Sequence, residues 1–160
     1  FADVVVPKPT ILEYPVILDL PAPRLSCYSK ESTVSEKFQA MVELGLLHSR
    51  MKDFYDIWFM SQVFDFKGTI LAEAVKVTFN CRKTEIKDEV MIFLNAFAKD
   101  ETKQKQWSGF LRRNDINDAP PELGIVITRL NSFLGPVAYA IISDESFTKN
   151  WNAPGPWVQL

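Results

Sequence analysis

Two short stretches of this 160-residue chain concentrate the groups that could do chemistry. They are Ser35-Glu36-Lys37-Phe38-Gln39-Ala40-Met41 and, one helical length later, Ser49-Arg50-Met51-Lys52-Asp53-Phe54-Tyr55-Asp56. Within the second, the cations Arg50 and Lys52 and the carboxylates Asp53 and Asp56 fall inside seven residues, and the two carboxylates are one helical turn apart. Cations of this kind hold anions, and carboxylates hold cations or accept protons. Met51, Phe54, Tyr55, Ile57 and Trp58 crowd the charges, so a buried face and a polar face lie side by side on one rigid element. The plainer alternative is a structural ion pair, Asp53 or Asp56 with Arg50 or Lys52, tying two helices together, with Lys37 a solvated lysine beside Glu36.

The elements that must position these groups follow from the apolar period. Ser29 or a neighbouring hydroxyl can cap a helix in which Val34, Phe38, Met41, Val42 and Gly45 form one stripe, ending near Leu46 to His48. Lys37 lies next to that stripe. A second helix, from about Arg50 to Val63, carries Phe54, Ile57, Trp58 and Phe59 toward a core, and Trp58, Phe59, Phe64 and Phe66 read as one core cluster. Asp65 or Gly68 opens a third helix through Ile70, Leu71, Ala74, Val75 and Phe79. The stretch from Lys83 to Asp88 is turn-like, and Val90 to Phe97 is a shorter helical piece. Asp100 can cap a helix holding Trp107, Phe110 and Leu111. Pro120-Pro121 then breaks the chain before a long last helix with Val126, Ile127, Leu130, Phe133, Leu134 and Val137. The tail from Trp151 to Trp157 is too rich in proline for regular structure, yet its two tryptophans should pack on the body. At the other end, Phe1 to Pro7 reads as the tail of a strand. Ile11 to Leu20 reads as a short strand leading into an extended Pro21-Ala22-Pro23 connection. The expected fold is α+β and mainly α, with about five to six helices and one or two short N-terminal strands.

Composition bounds the function. A chain of 160 residues supports one core, and a net charge of -2 gives no global attraction to nucleic acid or anionic lipid. Cys27 and Cys81 lack metal-ligand spacing, and the single His48 leaves too few soft ligands for zinc. Two free thiols fit a reduced, cytoplasmic protein. No apolar run is expected to reach the roughly 20 residues of a spanning helix, and residues 1–160 show no basic start followed by an apolar core and a cleavage site, so a protein neither secreted nor embedded is expected. His48, at a helix end, reads as a capping residue. Lys99, Lys103, Lys105, Arg112 and Arg113 around Trp107 could meet an RNA backbone, but Asp100, Glu101 and Asp115 dilute that charge and favour a solvated helix face.

Glu36-Lys37-x-x-Ala40-Met41-Val42-x-Leu44-Gly45, followed by Ser49-Arg50-Met51-Lys52-Asp53-Phe54-Tyr55-Asp56-Ile57-Trp58, resembles the nucleotidyl transferase AbiEii/AbiGii toxin family of bacterial type IV toxin-antitoxin systems. Further matches are Tyr14-Pro15, Leu18-Asp19-x-Pro21-Ala22-Pro23-Arg24-Leu25, Phe64-Asp65-Phe66, Trp107-x-x-Phe110-Leu111-Arg112-Arg113 and Gly155-Pro156-Trp157. The resemblance implies a DNA polymerase beta-like core joined to a helical C-terminal half. It also implies transfer of a nucleotide from a nucleoside triphosphate, with Mg²⁺, to a tRNA or other RNA or to a protein acceptor, and a cognate antitoxin as partner. Lys37 and Asp53 match the lysine and aspartate of the two helical motifs and take catalytic roles on that basis. Lys37 would face the phosphates, and Asp53 would orient Lys37 or Arg50 or act as base toward the acceptor hydroxyl. Arg50, Lys52 and Asp56 take nucleotide- or acceptor-binding roles. Lys37→Ala and Asp53→Ala are then expected to abolish transfer with folding nearly unchanged.

The chain also departs from the family pattern. Such a core needs a Gly-Ser turn for the triphosphate and an Asp-x-Asp pair for two metal ions about 4 Å apart, and neither dipeptide nor pair occurs between Phe1 and Leu160. The chain therefore reads as the C-terminal portion of such an enzyme, inactive alone, with the metal ligands elsewhere. Residues 1–28 would be a residual strand region and linker of the core, and 29–160 the helical domain. The competing reading is a non-catalytic helical module that binds an antitoxin or another protein. A helical RNase needs an Arg four to six residues before a His, and no Arg precedes His48 at that spacing.

Overall fold

The computed structural model describes residues 5–16, 21–87 and 95–159. Helix α1 (Lys30–Leu44) starts where expected: extended Ser29 accepts the amide of Ser32 through its hydroxyl at 3.0 Å, which satisfies one of the free N–H groups of the first turn. It stops at Gly45, whose φ of +49° is available to glycine at little cost, and whose N–H closes on the Met41 carbonyl. A 3-10 turn (Gly45–Leu47) and His48-Ser49-Arg50 then lead into α2 (Met51–Val63). Helix α3 (Gly68–Arg82) ends at Lys83 in the left-handed conformation. Helices α4 (Asn95–Lys99), α5 (Glu101–Arg113) and α6 (Leu123–Ile142) follow, and Asp100 caps α5 by accepting the Lys103 amide at 2.9 Å. The mainly helical α+β fold is as the apolar period predicts.

The core lies where α1 packs on α3, and α6 packs on α2, α3 and α4. Phe38, Met41, Phe54, Ile57, Leu71, Trp107, Leu123 and Phe133 are fully buried there. Burying such a side chain stabilises the fold by roughly 1.5–3 kcal/mol relative to leaving it in water. Of the predicted aromatic cluster, Phe66 is buried and Trp58 packs against the core, but Phe59 and Phe64 are exposed. Phe59 falls outside the arc of α2 that carries Phe54 and Ile57, and Phe64 follows the helix's last turn, where the stripe no longer applies.

The strands differ from expectation in detail. Strand β1 (Thr10–Glu13) pairs antiparallel with β2 (Arg24–Cys27), Leu12 facing Leu25 and Glu13 facing Arg24. The strand expected to run to Leu20 ends at Glu13, while the segment after the Pro21-Ala22-Pro23 connection supplies its partner; residues 17–20 lie outside the described residues. Val5 and Val6 are not in a strand, and residues 1–4 lie outside the described part. Residues 88–94, most of the helical piece expected over Val90 to Phe97, also lie outside it.

At the other end, β3 (Phe66–Lys67), β4 (Asn150–Trp151) and β5 (Trp157–Val158) make a small antiparallel sheet in the order β3-β4-β5. The proline-rich tail thus does form regular structure, because its prolines sit in the turn between two very short strands. Trp151 is buried at 1% exposure and its Nε1–H donates to the Ser61 carbonyl at 2.8 Å. Gly68 lets this sheet close, since a Cβ there would collide with the Lys149 carbonyl and the Phe147 ring.

Helix α6 corrects a further expectation. Its 20 residues are long and apolar enough to cross a membrane by length and composition alone. Leu123, Val126, Ile127, Leu130, Phe133, Leu134 and Val137 recur at helical spacing and are buried by the other helices, as in the central helix of a core.

Candidate functional site

The crossing of α1 and α2 brings all five sequence-predicted site residues into one cluster. Lys37, on the flank of α1, donates from Nζ to Asp53 Oδ1 at 2.8 Å and lies 2.8 Å from Asp56 Oδ2. Lys52 reaches the two Asp56 oxygens at 2.8 and 2.6 Å across one turn of α2. Arg50 Nε stands 3.4 Å from Asp53 Oδ2. Burial grades across the cluster: the Asp53 side chain is 2% exposed, Lys37 20%, Asp56 18%, Arg50 69% and Lys52 70%. Asp53 is therefore the buried anchor, Lys37 the bridge, and Arg50 and Lys52 the cationic heads in water. Among these five side chains, three cations face two carboxylates.

An ion pair between helices does exist here, but its cation is Lys37 of α1 rather than a lysine or arginine of α2. The expectation that Lys37 and Asp53 could be removed with folding nearly unchanged is revised accordingly, since each holds the other below the surface. Burial alone would push the Asp53 carboxyl up. The approach of the His48 ring at 3.5 Å, the hydrogen bond and charge of Lys37 and the charge of Arg50 outweigh it and hold the carboxyl at about 2. For Lys37 burial acts against the ammonium, and the hydrogen bonds and charges of Asp53 and Asp56 prevail, so its pKa is raised.

The depressed carboxyl makes stability depend on pH. Because Asp53 binds its proton less readily folded than unfolded, the stabilisation is complete above about pH 4 and lost as pH falls toward about pH 2. A shift from 3.8 to about 2 corresponds to roughly 2 kcal/mol. Urea unfolding of the chain at pH 5 and stepwise down to pH 2 should show that loss, and Asp53→Asn should flatten it by about that amount. Equal acid slopes in the two proteins would contradict it.

Two further residues join the cluster from outside the predicted set. His48 is fully buried, with Nε2 3.5 Å from Asp53 Oδ2 and its ring edge-on to Phe54 at 5.3 Å between centroids. Lys103 of α5, read from sequence as part of a solvated or RNA-facing run, is 8% exposed and donates from Nζ to the His48 carbonyl at 2.9 Å. Its spacing carries the signal: Lys103 lies four residues before Trp107 and seven before Phe110, on the buried stripe of α5. A cavity of about 540 Å³ between α3 and α6, lined among others by Lys76, Phe79, Ile86 and Asp144, lies away from the cluster.

A family model for the nucleotidyl transferase AbiEii toxin of type IV toxin-antitoxin systems matches residues 1–129. The chain belongs to this family. The matched stretch takes in the β1–β2 ribbon, α1 to α5, the whole Lys37 cluster and the first turns of α6. No curated protein and no solved structure matches the chain.

An AbiEii-type nucleotidyltransferase calls for a nucleoside triphosphate and a divalent metal. Among the described residues no group of three or more His, Cys, Asp or Glu side chains is placed to hold a metal ion. Asp53 and Asp56 are both engaged by lysines. Among the described residues, therefore, this AbiEii-family chain offers no set of side chains that fits the metal.

Proposed function

We propose that this chain supplies the nucleotide-closing and acceptor-binding half of an AbiEii-like toxin, which transfers a nucleotide from a nucleoside triphosphate to an RNA or protein acceptor. The observation that carries the reading is Lys37 fixed between Asp53 and Asp56, with Arg50 and Lys52 projecting beside it. Arg50 presents a planar fork suited to phosphate oxygens, and Lys52 a mobile point charge. Asp53 holds Lys37 on the same face, so the lysine meets the phosphates preorganised. The metal ligands, with a Gly-Ser turn and an Asp-x-Asp pair, belong to a core outside this chain, and the chain alone is inactive. On this reading residues 1–28 are the edge of that core and 29–160 the helical domain, the setting is cytoplasmic, and an antitoxin is the protein partner.

One observation favours the second reading, a non-catalytic module. The β1–β2 ribbon turns Leu12, Leu25 and Tyr14 outward, with Leu12 and Leu25 facing each other across it, and an apolar ribbon face suits protein docking. The two readings separate in a titration of the ¹⁵N-labelled chain with a nucleoside triphosphate. The expected result is movement of the Lys37, Arg50 and Lys52 side-chain signals, weakened by salt, with about tenfold lower affinity in Arg50→Ala, or about 1.4 kcal/mol. Signals that stay in place at millimolar nucleotide would overturn nucleotide binding by this face.

A further inference from the structure

His48 is the one histidine of the chain, and it is fully buried with neither ring nitrogen hydrogen-bonded among the described residues. A neutral imidazole carries one donor and one acceptor, and leaving the donor unpaired inside a protein is costly. Asp53 Oδ2 is in the same position: buried, without a hydrogen bond among the described residues, and 3.5 Å from His48 Nε2. A contraction of about half an ångström satisfies both atoms at once.

The ring is held for that contact. The Lys103 ammonium donates to the His48 carbonyl at 2.9 Å and sits 5.4 Å over the Phe97 ring. Phe97 stacks on Phe54 at 5.6 Å, and Phe54 meets the imidazole edge-on. Among the described residues, Asp53 Oδ2 supplies a polar side-chain atom beside the ring. Among the described residues the charged groups at His48 are Asp53 of α2, beside the ring, and Lys103 of α5, on the backbone carbonyl; Arg50, just ahead of α2, and Lys37 of α1 lie beyond Asp53.

We propose that His48 is a positioning residue of the cluster: its Nε2–H donates to Asp53 Oδ2, so that the carboxylate keeps Oδ1 aimed at Lys37 when Arg50 leaves for a ligand. The inference deepens the nucleotide reading and rests on it for its purpose. Arg50 is mostly exposed and shares Oδ2 from the solvent side at 3.4 Å. A phosphate that draws its guanidinium outward removes one partner of that oxygen. His48, which cannot leave, keeps the oxygen paired and stops the carboxylate from rotating away from Lys37.

Because there is one histidine, a ¹⁵N spectrum of the imidazole reads this residue alone. At neutral pH the expected result is a proton on Nε2, slow to exchange, with its nitrogen signal displaced in Asp53→Asn. An unprotonated Nε2 overturns the proposal. A second arm follows the Asp53 carboxyl by ¹³C. His48→Leu should raise its titration midpoint from about 2 toward the ordinary 3.8, and His48→Gln, which keeps a donor, should recover part of the shift. A merely structural histidine would leave that midpoint unmoved in both variants, which also overturns it. The wild-type spectrum and His48→Gln decide the matter if His48→Leu does not fold. None of these measurements uses nucleotide. A nucleoside triphosphate that leaves Arg50 unmoved while the Nε2 proton persists therefore defeats the proposed function and spares the His48–Asp53 contact.

Discussion

Lys37→Met is expected to destabilise the chain by about 3 kcal/mol, and Asp53→Asn placed in the same chain should return most of that loss. Nucleotide transfer, measured with the nucleotidyltransferase core present, should fall on the order of 10²–10³-fold in Lys37→Met and stay there in the double variant. The stability half follows from the geometry. Asp53 is 2% exposed with Oδ1 held by Lys37 at 2.8 Å. Removing the ammonium strands a carboxylate in a site where its other charged neighbour, Arg50, is 3.4 Å away and largely in water. Asparagine carries no charge, so with Lys37 gone it relieves most of the penalty.

The two readouts therefore separate structure from chemistry. An ion pair with only a structural role would let the double variant recover both stability and transfer. A lysine that faces phosphate cannot be replaced by relieving its partner. Full transfer in the double variant would remove Lys37 from the chemistry, and a coupling energy below about 0.5 kcal/mol in urea unfolding would remove the pair from the fold.

How much of this was legible in sequence depends on range. Helices α1, α2, α5 and α6 follow from local period and capping groups such as Ser29 and Asp100, which act within a few residues. Lys37 and Asp53 stand out by type and company, but the 2.8 Å contact between them depends on how α1 crosses α2, which no local pattern encodes. His48 sits in a turn, where sequence favours exposure; it is buried against Phe54, with Lys103 reaching back from α5 to its carbonyl. The β1–β2 pairing and the β3-β4-β5 sheet are likewise decided by distant partners, Thr10 with Cys27 and Phe66 with Trp151. Strand pairing of that kind is the part of a fold least visible in a window of sequence.

Trp151→Ala should cost roughly 3–5 kcal/mol and lower Tm by on the order of 10 °C. Trp151 lies beyond the family-matched stretch that ends at residue 129, so the variant asks whether the tail belongs to the same cooperative unit as the cluster. The contacts argue that it does. Its ring meets Phe133 of α6 edge-on at 4.9 Å and Trp157 at 5.4 Å, its backbone pairs with Phe66, and its indole N–H is bonded to the last turns of α2 through Ser61. Deleting the indole opens a cavity at the meeting of α2, α6 and the small sheet. Trp151→Phe keeps most of the apolar area and loses the hydrogen bond to Ser61, so its cost should be smaller, about 1–2 kcal/mol. A single unfolding transition shifted in that order places the tail in one unit with the helix that carries Asp53. A loss below about 1 kcal/mol for Trp151→Ala, or a separate early transition, would make the tail an appendage.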